Sequence, residues 1–129
     1  MRIGIDIRPI AAAGQGRGLG IYAANLVKHL FQIDHEHQYA LFVAKDQDLP
    51  DFLHPAPPNA TVMHLRRPTR NIFLWDQLLW YPLLKRLKVD IFHSLIYGVP
   101  FLCPCKKVLT IHDLTPLIFP QLLQHLRHK

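Results

Sequence analysis

The sequence predicts an α/β domain built on a doubly wound, mostly parallel sheet, and three observations lead there. Short apolar runs of strand length alternate with longer stretches of helical periodicity. A glycine-rich segment follows the first strand and leads straight into a helix. Two late apolar runs lack polar alternation, the pattern of strands covered on both faces. With 129 residues, half of them hydrophobic, the chain is expected to form a single domain over residues 1–129 around a buried core.

Isoleucines at 3, 5 and 7 make Arg2 to Arg8 the first strand, stopped by Pro9. Ala11 to Gly20 reads as a glycine-rich loop, and apolar residues at 22, 23, 26, 27 and 30 make Ile21 to Phe31 helical. Tyr39 to Ala44 is a second strand; a proline-rich loop with Pro50, Pro55, Pro57 and Pro58 separates it from a third at Thr61 to Leu65. Ile72 to Leu87 is an apolar helix that Pro82 is expected to kink or divide, with Trp75, Trp80 and Tyr81 in the core. Val89 to His93 and Lys107 to His112 are expected to be two buried strands, each ending in histidine. Leucines at 122, 123 and 126 make Gln121 to Lys129 helical.

The net charge of +6 favours anionic partners. The basic residues are scattered, however, as in Arg66-Arg67, Lys85-Arg86 and Lys106-Lys107, with no zinc-finger or RNA-binding signature, so no nucleic-acid partner is expected. No run approaches the roughly 18 apolar residues of a membrane span, which limits membrane contact to the periphery. Two cysteines and no leader-like start point to a reduced, cytoplasmic setting. Cys103-Pro104-Cys105 supplies at most two thiolates where a structural zinc site takes about four ligands, so these residues are expected to pack in a loop and no metal site is assigned.

Three places carry candidate chemistry. Gly14, Gly16, Gly18 and Gly20 precede a helix, where bare backbone N–H groups and the positive helix end suit an anion or a sugar; a turn with no ligand is the competing reading. The spacing fails the dinucleotide fingerprint, because Leu19 or Ile21 stands at the third glycine, and no Lys-Ser/Thr completes a P-loop. His112-Asp113 and His93-Ser94 sit at predicted strand ends on the edge where parallel sheets collect ligands. Histidine there can hydrogen-bond a hydroxyl near neutral pH, or merely cap its neighbour.

Six segments together resemble the N-terminal domain of the group-one, family-four type of retaining GT-B glycosyltransferases. They are Gly4-Ile5-Asp6-Ile7-Arg8-Pro9, Gly18-Leu19-Gly20-Ile21-Tyr22, His37-Gln38-Tyr39, Leu74-Trp75-Asp76-Gln77, Asp90-Ile91-Phe92-His93-Ser94 and Thr110-Ile111-His112-Asp113-Leu114-Thr115-Pro116. The resemblance spans Met1 to about Pro120 and implies a Rossmann-like acceptor-side half of a GT-B fold. It implies transfer of a sugar, with retention, from a nucleotide-sugar co-substrate to a glycan or lipid-linked acceptor, with no cofactor or metal. It makes His112 the catalytic residue and Gly16, Gly18, Gly20, His93 and Asp113 substrate-binding residues. A lipid-linked acceptor would bring the chain to the inner face of a membrane as a peripheral contact.

Three positions depart from the family pattern: Ile21 where arginine is common, Leu95 after His93-Ser94, and Asp76 in place of glutamate. The family's C-terminal donor-binding domain, with its paired glutamates and basic residues, has no counterpart in this sequence. The expectation is therefore a truncated or split transferase, inactive alone, that depends on a donor domain or partner chain. The alternative is a non-catalytic module or regulatory partner that holds a phosphate or sugar.

Overall fold

The strands are laid down by the apolar runs, and all of them pair in parallel. A computed structural model of the chain describes residues 1–12, 18–46, 48–66, 72–96, 98–119 and 121. The elements are β1 (Arg2–Asp6), α1 (Pro9–Ala12), α2 (Gly18–Ile33), β2 (Gln38–Ala44), β3 (Ala60–Leu65), α3 (Ile72–Arg86), β4 (Ile91–Ser94), β5 (Lys106–Leu109) and α4 (Thr115–Ile118), with a 3-10 turn at Asp51–Leu53 between β2 and β3. The sheet order is β3-β2-β1-β4-β5, so β1 is central. Order and direction are those of a Rossmann-like, doubly wound sheet.

Strand alternation sorts the core into two layers. Ile5, Tyr39, Leu41 and Val43 face one side and pack with Ala23 and Val27 of α2 and Leu53 of the 3-10 turn. Ala40, Phe42 and Phe92 face the other side and pack with Trp80 and Leu84 of α3. Phe42 meets the Trp80 ring at 4.9 Å, and Trp80 meets Phe92 at 4.6 Å. Gly4 lies beneath this aromatic cluster: a Cβ there would stand 3.0 Å from Phe42 Cε2 and 3.2 Å from Val89 Cγ1.

The helix ends follow local rules. After α3 the chain turns through Lys88 at φ 52°. Lys88 N–H donates to the Lys85 carbonyl and Val89 N–H to the Leu84 carbonyl, each at 3.1 Å, while the Val89 side chain is buried. This is the Schellman arrangement with lysine where glycine is preferred. After α2, the Asp34 carboxylate accepts from the Tyr39 hydroxyl and from His37 and the Glu36 backbone, which holds it well below the usual carboxylate range. These bonds tie the turn between α2 and β2.

Several expectations need correction. β5 is exposed at all four residues rather than buried, because it is an edge strand and belongs to neither core layer. It ends at Leu109, so His112 lies three residues beyond it and not at the strand end. Pro82 does not divide α3, which runs unbroken through it; Pro82 and Leu78, one turn earlier, are both exposed. Of the three helix aromatics only Trp80 is core, since Trp75 and Tyr81 are 39% and 41% exposed. Gly18 and Gly20 lie inside the first turn of α2 rather than in a loop. Gly14 and Gly16 fall outside the described residues, as does nearly all of the expected C-terminal helix. No helix among the described residues is long and apolar enough to cross a membrane.

Two substitutions test this packing. Gly4→Ala is expected to destabilise the domain by about 1–3 kcal/mol through overpacking against Phe42 and Val89, read as a lower urea midpoint. Lys88→Gly is expected to raise stability by about 1 kcal/mol in the same assay by relieving the left-handed conformation.

Candidate functional site

Because the sheet is parallel, the C-terminal ends of β1, β4 and β5 share one edge, and α2 begins there. Alternation along β4 puts Phe92 into the α3 layer and His93 on the α2 side. His93 Nε2 lies 2.9 Å from Thr110 Oγ1, one residue past β5. The Thr110 N–H donates to the Ser94 carbonyl at 3.0 Å, which extends the β4–β5 ladder and fixes the hydroxyl. The Tyr22 hydroxyl, from the second turn of α2, stands 3.5 Å from the same Thr110 oxygen.

His112 completes the group. Its Nε2 lies 2.8 Å from the Leu95 carbonyl, which can only accept, so that nitrogen carries the proton. The Tyr22 ring meets the imidazole edge to face, with centroids 4.9 Å apart and planes at 84°. Tyr22, His93, Thr110 and His112 thus converge from three parts of the chain. Burial lowers the His93 pKa from its ordinary value, leaving the imidazole neutral at pH 7. The four side chains present hydroxyl and imidazole groups that can pair with the hydroxyls of a ligand, and none of the four is a lysine or arginine.

The remaining expected residues divide. Asp113 is turned to its own chain: Oδ1 accepts from the Thr115 N–H at 2.7 Å and from the Thr115 hydroxyl, which lowers its pKa. This is a local turn that starts α4. Gly18 begins α2 and has open space where a Cβ would stand, whereas Gly20 is buried. Gly16 lies outside the described residues. Among those residues no group of three or more His, Cys, Asp or Glu gathers as a metal centre.

Sequence reasoning gave no site role to Tyr22 or Thr110, although both fall in the quoted segments. Position relative to a strand end and a helix start was the available signal. It also passed over Arg8, whose guanidinium joins Asp6 at 2.7 Å and Asp76 at 2.9 Å and lies 5.1 Å from the Trp80 ring centroid. Burial works against the charge, but both carboxylates more than offset it and hold the guanidinium pKa above its ordinary value. The departure at Asp76 thus has a structural use, fastening α3 to the end of β1.

His93 supplies a measurable property. Its NMR titration midpoint is expected below the roughly 6.5 of a free imidazole. The unfolded chain then binds the proton first, so stability is full above that pH and falls as pH drops through and below it. His93→Gln is expected to flatten that part of the stability profile. No protein family, curated protein or solved structure matches the chain.

Proposed function

We propose that this chain is the acceptor-side domain of a retaining glycosyltransferase of the two-domain GT-B type. It would move a sugar from a nucleotide-sugar donor to a glycan or lipid-linked acceptor. The observation that carries the proposal is the meeting of Tyr22, His93, Thr110 and His112 at the C-terminal edge of the parallel sheet. In the family that the sequence resembles, the residue matching His112 approaches the transferred sugar.

In the reaction the bond from the anomeric carbon to the diphosphate breaks, and the diphosphate leaves with its electron pair. A bond to the acceptor oxygen forms on the same face of the sugar, and the proton of the acceptor hydroxyl passes to the departing diphosphate oxygen. The work assigned to this domain is to hold hydroxyl groups. Leu95 and Tyr22 fix the His112 ring, and Thr110 orients His93. The leaving diphosphate needs cationic partners, which the cluster does not contain, so a second domain on this chain or another would supply them. Apolar residues on β5 and α4 suit contact with such a domain: Val108 is 44% exposed, Leu117 79% and Ile118 63%.

The test is an NMR titration of the full chain with UDP-glucose, UDP-N-acetylglucosamine, GDP-mannose and the free sugars, alongside a transfer assay. Expected are shifts at Tyr22, His93 and His112 with affinity on the order of millimolar, at least about tenfold weaker in His112→Ala, and transfer by this chain alone near the uncatalysed level. If none of these ligands moves those three residues, or if the affinity is unchanged in His112→Ala, the proposal fails.

A further inference from the structure

A cavity of about 500 Å³ opens on a different stripe of α2, between that helix, Ile10 of α1 and the connection that follows β2. Ile21, Asn25 and Lys28 line its helical wall at the spacing of one helix face, and Leu49, Asp51 and Phe52 line the opposite wall. It also lies at the C-terminal edge of the sheet, beside β1 and β2, where such sheets bind small molecules. Its size is within the roughly 300–1,000 Å³ of ligand sites.

The charges on its walls define the ligand. Lys28 stands on one wall and Asp51 on the other, and among the described residues neither forms an ion pair. A carboxylate alone would satisfy Lys28 but meet repulsion from Asp51, and an amine alone would meet the reverse. A neutral polyol would leave both charges unmatched and gain little from Ile21 and Leu49. A molecule with both charges on an apolar body matches every wall.

We propose that this cavity binds a zwitterionic small molecule with an apolar body, the chemistry of an amino acid with a large apolar side chain. The site is separate from the His93–His112 cluster and stands independently of the transferase proposal. Both charged side chains are solvent-exposed, so affinity is on the order of millimolar.

The experiment is an amide NMR titration of the full chain with L-phenylalanine, N-acetyl-L-phenylalanine, which lacks the ammonium group, phenethylamine, which lacks the carboxylate, and glucose. L-phenylalanine is expected to shift Ile21, Asn25, Lys28, Asp51 and Phe52 and to bind about tenfold more tightly than the other three, the worth of one charge-assisted bond. Lys28→Met is expected to lower that affinity about tenfold while binding phenethylamine at least as well as before, and Asp51→Asn to do the same for N-acetyl-L-phenylalanine. Both positions are exposed, so the rest of the spectrum reports an intact fold. Equal affinity for all four probes, shifts confined to His93 and His112, or no shift at the cavity residues near the solubility limit of L-phenylalanine would each overturn the proposal.

Discussion

Everything in this domain is built outward from β1, a five-residue strand that is bonded on both edges and covered on both faces. Such a strand has no solvent side. Ile5 must fill the α2 layer, and Gly4 must leave room for Phe42 and Val89 in the α3 layer. The neighbours inherit the constraint: six of the seven residues of β2 are buried, since that strand too is covered on both sides. The covering helices differ because their tasks differ. α2 presents Gly20, Ala23 and Val27, small residues that let it lie close to the sheet, whereas α3 brings Trp80 and Leu84 to fill the space above Gly4.

The same strand sets the electrostatics of the edge. Asp6 ends β1 at 2% exposure, and a buried carboxylate is tolerated only when paired. Arg8 pairs it through its backbone N–H and two guanidinium nitrogens and reaches on to Asp76, with the Trp80 ring against its charged group. One guanidinium thus links strand, helix and aromatic core at the C-terminal edge. Because its donors are taken up by carboxylates, Arg8 is a structural cation; Tyr22, His93, Thr110 and His112 form a separate group at the same edge, joined by hydrogen bonds and a ring contact.

The far side of the sheet is less finished. β5 bonds to β4 along one edge, but neither of its faces joins a core layer, and Leu117 and Ile118 of α4 are exposed to solvent. Cys103 and Cys105, just ahead of β5, pack against the α3 layer with their sulfurs 3.4 Å apart, and burial pushes the Cys105 thiol up to about 12. A protonated thiol of that kind behaves as a small apolar group, in keeping with loop packing. Order therefore grades across the sheet from β2 and β1, closed on all sides, to β5, closed on one.

Local pattern determined a good deal. Period-two isoleucines marked β1, an unbroken apolar run marked β2, and helical spacing marked α2 and α3, because each signal is carried by residues close together in the chain. Alternating strands and helices then determined a parallel, doubly wound sheet, since parallel neighbours need crossovers. What the chain could not declare locally was the position of each strand in the sheet. Lys107 to His112 reads as an interior strand, yet its strand part ends at Leu109 and stands at the edge, and of Trp75, Trp80 and Tyr81 on one apolar helix only Trp80 is buried against the sheet. The site divided in the same way. His93 and His112 were legible from their places near strand ends, but Thr110 and Tyr22 join them only through contacts spanning 17 and 88 residues. The pairing of Arg8 with Asp76, 68 residues away, is likewise decided only when α3 packs over β1. Sequence spacing records neighbours along the chain, whereas hydrogen bonds and burial depend on neighbours in space.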